Sequence, residues 1–135
     1  MKEFVCDDDY KPLIPDGEYE AQCVGYDNQF CLGTDRKTFL KFKILTEGEH
    51  HGKGLFMAFN MPYNGRIRTG SKYYKTWCMV NRWQKPSRNA KMSPRIFLNK
   101  VYKIKTRPAK PMHNGKEMPA QFRYSVVDAI LEVIA

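Results

Sequence analysis

The sequence predicts a mainly β domain that contains one inserted helix. Three segments, residues 18–24, 38–45 and 101–107, alternate apolar and polar side chains with the period of two that is typical of half-buried strands. One stretch near the middle, residues 72–83, instead places apolar side chains at helical spacing. The chain has 135 residues, of which 42% are hydrophobic, so it can form a single domain with a core of its own.

The amino-terminal segment, residues 1–13, is polar and acidic and has no apolar period, so we expect a flexible acidic arm. A single domain is then predicted over residues 14–135. A Pro-Asp-Gly turn at residues 15–17 precedes the first strand, which alternates over residues 18–24.

The second predicted strand, residues 38–45, directs Leu40, Phe42 and Ile44 toward the core. Its outward-facing residues are Phe39, Lys41 and Lys43. After a glycine-containing connection, residues 55–61 form a third strand, which the following proline ends. Three strands with short links predict a meander.

Ser71 is suited to cap a helix over residues 72–83, with Tyr73, Trp77 and Val80 on its inward face. This is the only segment that predicts a long helix. Past a polar, basic loop, a serine and a proline open a short second helical turn near residues 93–98.

The fourth predicted strand, residues 101–107, presents a basic outward face. The residues on that face are Lys103, Lys105 and Arg107. Residues 108–122 contain three prolines and predict either a long loop or an extended ribbon. In the last segment, residues 124–134, the first half favours a strand, whereas the second half would also suit a helix.

Positive charge is concentrated in the middle of the chain. The formal net charge is +9, and no acidic residue lies between Glu49 and Glu117, an interval that holds sixteen Lys and Arg residues. A polyanionic partner would offset the self-repulsion of such a field, which makes nucleic acid the leading candidate. Aromatic residues interleave the same interval: Tyr63, Tyr73, Tyr74, Trp77, Trp83, Phe97 and Tyr102. Cations hold phosphates and rings stack on unpaired bases, so the combination favours a single strand.

Three strands, a helix and two more strands give the order of an OB-fold, a five-stranded Greek-key barrel whose second and third strands and whose loops bind oligonucleotides. The chain also resembles the small OB-fold single-stranded-DNA-binding proteins of phages and other mobile genetic elements. The resemblance rests on residues 14–19, 39–45, 52–55, 71–74 and 97–102. It implies single-strand binding in replication, recombination or repair. The chain ends in an apolar segment, so the resemblance does not carry over the acidic tail with which many bacterial single-strand-binding proteins recruit replication partners.

These patterns predict a nucleic-acid-binding set of cations and rings, in which the cations neutralise the backbone and the rings stack on bases. The predicted residues are Phe39, Lys41, Lys43, Tyr63, Arg66, Arg68, Tyr73, Tyr74, Arg82, Trp83, Lys103, Lys105 and Arg107. Taken singly, each outward lysine is explained almost as well by solubility, and Trp77 is better explained by core packing.

The sequence contains no motif that indicates catalysis, a bound cofactor or a metal site. There is no P-loop, dinucleotide fingerprint or nucleophile motif, and the acid-free interval supplies no carboxylates for metal-assisted phosphoryl transfer. The cysteines are scattered and are predicted to be reduced, with Cys23 and Cys78 as core residues and Cys6 and Cys31 elsewhere. With neither a signal peptide nor an apolar span, we expect a cytoplasmic protein without membrane contact.

Other functions remain open at the level of sequence. An RNA-binding module would use the same stacking platform, because the contacts that distinguish the 2′-hydroxyl are not visible in a sequence. A basic protein of this size would also suit an inhibitor that occupies the nucleic-acid groove of a host enzyme. Pairing of two barrels into a homodimer or higher oligomer would lengthen the binding track.

Overall fold

Seven strands and one α-helix form the part of the chain that the computed structural model describes, which is residues 12–30, 36–62, 64–109, 112–113, 116–117 and 123–135. In chain order, the elements are β1 (Glu18–Phe30), β2 (Arg36–Ile44), β3 (Gly54–Met61), α1 (Lys72–Val80), a 3-10 turn (Pro94–Phe97), β4 (Val101–Pro108), β5 (Met112–His113), β6 (Lys116–Glu117) and β7 (Ser125–Val133).

Five of the strands build one antiparallel sheet in the order β3-β2-β1-β4-β7, while β5 and β6 pair separately as a short ribbon. The mainly β class with one inserted helix is therefore confirmed. The central strand, β1, pairs with β4 over Glu18–Gln22 and with β2 from Ala21 to Phe30. A register shift between Cys23 and Gly25 marks a bulge, which increases the local twist of the strand. The edge strands β3 and β7 approach each other to within 8 Å between Cα atoms.

The core follows the predicted alternation. Leu40, Phe42 and Ile44 of β2 are buried, as predicted. Facing them are inward residues of the other strands and of the helical turn, with Phe59, Tyr73 and Phe97 forming an aromatic cluster. Among the described residues, the core also includes two free cysteines, Cys23 and Cys78. Cys6 and Cys31 lie outside the described residues.

Helix α1 begins as predicted, because the Ser71 hydroxyl accepts a hydrogen bond from the Tyr74 N–H at 3.1 Å. It ends at Val80 rather than Trp83, because the next residues leave helical geometry: Arg82 and Trp83 have φ values of 57° and 60°. The predicted inward face is confirmed, since Tyr73, Trp77 and Val80 are buried. Within the described ranges no helix combines the length and the apolar composition that a bilayer crossing needs.

Two segments differ from their predicted extents. β1 continues to Phe30, beyond the predicted residues 18–24, because its second half keeps pairing with β2 after the bulge, as far as Phe30 opposite Arg36. β7 is a strand through Val133, so the helical alternative for its second half is wrong; its pairing with β4 runs as far as Tyr102 opposite Val133.

The start of the described chain is docked onto β7. The Ser125 N–H donates to the Pro12 carbonyl at 2.8 Å. The buried Ser125 hydroxyl accepts a hydrogen bond from the Ile14 N–H at 3.0 Å and donates one to the Ile14 carbonyl at 3.1 Å. Ile14, where the predicted domain begins, is buried. Of the flexible arm predicted for residues 1–13, residues 1–11 lie outside the described residues.

Candidate nucleic-acid interface

The outward side of β2 and β3 brings rings and cations together. Phe39 of β2 and Phe56 of β3 meet edge to face, with ring centroids 6.4 Å apart and planes at 86°. Lys41 is the register partner of Phe56, and Lys43 continues the same row. We call this surface the β2–β3 face and define it by its outward residues: Lys37, Phe39, Lys41, Lys43, Phe56, Ala58 and Asn60.

Alternation along two paired strands creates this face. Because successive side chains point to opposite sides of a sheet, burying Leu40 and Phe42 leaves Phe39 and Lys41 on the outer surface. The Lys41 side chain also extends toward β1. A Cβ atom added to Gly25 would lie 3.7 Å from the Cδ atom of Lys41. The aliphatic stem of Lys41 therefore covers the glycine, while its ammonium extends toward water.

Within the described register, none of the three lysines of the β2–β3 face has an acidic partner on a neighbouring strand. Their register partners on β1 are Gln29, Gly25 and Gln22, and their partners on β3 are Asn60, Phe56 and Gly54. The nearest carboxylate in the register is Asp27, which is opposite Phe39 and makes an interaction of its own. Polyanion binding is favoured where cations are not already matched by carboxylates.

The basic row of β4 is different. It faces outward as predicted, but carboxylates of both neighbouring strands surround it. Lys103 lies 3.5 Å from Glu18, and its register partners are Glu20 and Glu132.

Arg107, at the other end of the row, forms an ion pair with Asp128 of β7, with 2.8 Å between Nε and Oδ1. Lys105 has Glu18 as its register partner on β1. The positive charge of β4 is thus largely balanced within the sheet, which makes the predicted assignment of Lys103, Lys105 and Arg107 to nucleic-acid binding less favourable than that of the lysines on the β2–β3 face.

A second basic region lies between two loops beside α1. One cavity of about 260 Å³ is lined by Arg36 and Lys37 from the start of β2 and by Met61, Ile67 and Met92, among others. A second cavity, of about 580 Å³, shares Gly65, Ile67 and Met92 with the first and adds Arg66, Tyr74 and Lys91. Two of the predicted site residues, Arg66 and Tyr74, are therefore brought together here. Partial burial raises the pKa of the Tyr74 hydroxyl, with Cys78 acting in the same direction.

Tyr73 was predicted to stack on bases, and its burial excludes that contact. The side chain is 1% exposed, its ring packs against Phe59 and Phe97, and its hydroxyl donates to the Met92 carbonyl at 2.6 Å. The helical period had already placed it on the inward face together with Trp77. No ring face is left to meet a base.

The remaining predicted residues are dispersed. Trp83 is 76% exposed, and with Arg82 it occupies the turn after α1; neither residue belongs to the β2–β3 face or lines either cavity. Arg68 is exposed in the loop before α1, where its carbonyl accepts from the Ser71 hydroxyl at 2.8 Å. Tyr63 lies outside the described residues.

Several residues of the site were not predicted from the sequence. Phe56 and Lys37 belong to the β2–β3 face, and Lys91 belongs to the second cavity. Phe56 could have been predicted from the alternation of β3, because Leu55 and Met57 on either side of it are buried. Lys91 had no such signal, since its loop has no period.

The described residues bring together no group of three or more His, Cys, Asp or Glu side chains that could hold a metal ion. Comparisons with protein-family models, with curated proteins and with solved structures found no match for this chain.

Proposed function

We propose that this protein binds single-stranded nucleic acid, with DNA as the preferred ligand, and that it does so without catalysis. The observation that carries the proposal is the β2–β3 face, where Phe39 and Phe56 adjoin a row of three lysines that have few acidic neighbours. Phosphates of the strand lie along Lys37, Lys41 and Lys43, and bases pack on the two rings.

The proposal includes an OB-fold-like barrel. Its support is a long, bulged β1 that pairs with both β2 and β4, together with a helix between β3 and β4. The approach of β3 to β7 brings the two edges of the sheet near one another. In an OB-fold, strands two and three carry the oligonucleotide-binding surface, which corresponds here to the β2–β3 face.

The chemistry favours an unpaired strand over a duplex. Stacking of a base on an aromatic side chain is worth about 1–3 kcal/mol, and this contact requires a base that is free of its complementary partner. Each phosphate contact adds about 0.7 to the salt dependence of single-strand binding, so three lysines predict a slope of about −2 in log K against log salt. The resemblance to phage and mobile-element proteins extends the proposal to replication, recombination or repair in the cytoplasm.

Fluorescence anisotropy with labelled single-stranded DNA, single-stranded RNA and duplex DNA across a salt series tests this proposal. We expect the single-stranded DNA to bind most tightly, with a linear salt dependence. Tighter binding to RNA would instead support an RNA-binding module. Absence of binding to all three, even at low salt, would contradict the proposal and favour a protein partner.

A further inference from the structure

The two cavities beside α1 adjoin one another. They share Gly65, Ile67 and Met92 as lining residues. Their volumes, about 260 and 580 Å³, fall close to or within the range of small-molecule sites. We call the two adjoining cavities together the loop groove, and we define it by the residues that line either cavity.

The walls of the loop groove are held in place by hydrogen bonds. On one side, the Asn64 side chain accepts from the Arg66 N–H at 3.0 Å. On the other side, two buried rings of α1 anchor the chain: Tyr73 donates to the Met92 carbonyl, and the Trp77 indole donates to the Ser93 carbonyl at 3.1 Å. The groove is therefore preformed, and a ligand need not order it on binding.

The lining of the loop groove suits an anionic chain that carries flat rings. Arg66 and Lys91 are exposed cations, Tyr74 is a half-buried ring, and Ile67 and Met92 supply an apolar floor. Among the described residues that line either cavity, none is Asp or Glu. This is the same pairing of cation and ring that the β2–β3 face presents, but it is built from loops.

Lys37 connects the two surfaces. It lines the first cavity, and it stands two residues before Phe39 on the same side of β2. The spacing from Lys43 to Lys37 along the strand is about 20 Å at about 3.3 Å per residue. A strand that crosses the β2–β3 face in this direction arrives at the mouth of the loop groove.

We propose that the loop groove binds a second segment of the same nucleic-acid strand. Phosphates of that segment contact Arg66 and Lys91, and a base packs against Tyr74. This inference rests on the proposed function and extends the footprint beyond strands two and three. The occupant is a polynucleotide rather than an acidic protein segment because each surface combines cations with an aromatic ring on which a base can pack.

Nuclear magnetic resonance on the isotopically labelled protein tests the inference directly. On titration with an oligothymidylate of about twelve nucleotides, within the site size of an OB-fold, we expect signals of both surfaces to shift. The reporters are the backbone amides of Phe39 and Lys41 for the β2–β3 face, and the methyl groups of Ile67 and Met92 for the loop groove.

A charge-reversal pair supplies the second readout. Arg66→Glu with Lys91→Glu is expected to lower the affinity for the same oligonucleotide at least tenfold and to reduce the salt slope by about 1.4, at about 0.7 per lost contact. The matched control is Lys75→Glu with Arg95→Glu, which changes the net charge equally at exposed positions that line neither cavity. We expect the control to lose less than threefold.

The outcomes separate the two proposals. Shifts confined to the β2–β3 face, or equal losses in the variant pair and its control, would overturn the inference and leave the proposed function standing. Shifts confined to the loop groove would overturn the continuous path. If no signal of either surface shifts, the proposed function fails along with the inference.

Discussion

Replacing Tyr73 by phenylalanine distinguishes a core residue from a base-stacking residue. The substitution keeps the ring, which lies 5.3 Å from Phe59 between centroids, and removes only the hydroxyl. That hydroxyl donates to the Met92 carbonyl at 2.6 Å in a part-buried contact. Leaving such a carbonyl without its partner costs about 1–3 kcal/mol. We therefore expect Tyr73→Phe to lower the free energy of unfolding by that amount.

Two further variants bracket the expected magnitude. Tyr73→Ala also removes the ring from the aromatic cluster, a change that costs about 3–5 kcal/mol for large aromatic side chains. Domains are typically stable by about 5–15 kcal/mol, so this variant approaches the limit of folding. Tyr74→Phe, one position along, changes a half-exposed side chain and should stay within about 0.5 kcal/mol of the wild type.

Urea unfolding followed by tryptophan fluorescence measures these differences. Trp77 is 9% exposed and reports the loss of the core, whereas Trp83 is 76% exposed and changes little on unfolding. A shift of the midpoint at constant slope indicates a change in stability. If Tyr73→Phe left the midpoint unchanged but weakened oligonucleotide binding, the assignment of Tyr73 to the core would be refuted.

Three other predictions concern stability. Ser125→Ala removes both hydrogen bonds to Ile14 and should lower the free energy of unfolding by about 1–3 kcal/mol. A loss no larger than that caused by replacing an exposed serine with alanine would contradict the docking of the amino-terminal segment. Ser71→Ala removes the helix cap and should cost about 1 kcal/mol in urea unfolding, whereas Ser71→Asp should restore most of it; equal losses would count against the cap. Burial raises the pKa of the Cys23 thiol to about 11, from 9.0, and raises that of the Tyr102 hydroxyl as well. Because the folded state holds these protons more tightly, these two groups should make stability fall as the pH rises from about 9 toward 11; a constant urea midpoint over that window would contradict it.

The sequence predicted the local elements well, because each depends on a short period. The alternation of β2 and the inward face of α1 follow from neighbouring residues alone, and both are confirmed by burial. The extent of β1 did not follow, because its second half is defined by pairing with β2 after a bulge. The second half of β7 was ambiguous for the same reason: its strand form depends on β4.

The candidate site shows the limit of a one-dimensional pattern more clearly. Lys41 and Lys103 occupy equivalent places in alternating basic strands, yet the sheet puts glycine and phenylalanine beside the first and glutamates beside the second. Strand order decides that difference, and residues far apart in the sequence supply the neighbours. Likewise, the adjacent Tyr73 and Tyr74 separate into core and groove because the helix turns by about 100° per residue.

The salt dependence of oligonucleotide binding in two matched double variants tests the location of the site most directly. Lys41→Gln with Lys43→Gln removes two charges from the β2–β3 face, and Lys103→Gln with Lys105→Gln removes two from β4. For single-stranded DNA, we expect the first pair to reduce the salt slope by about 1.4, at about 0.7 per contact, and the second to leave it unchanged. Equal slopes for both variants, or a reduction in the β4 variant alone, would contradict binding on the β2–β3 face.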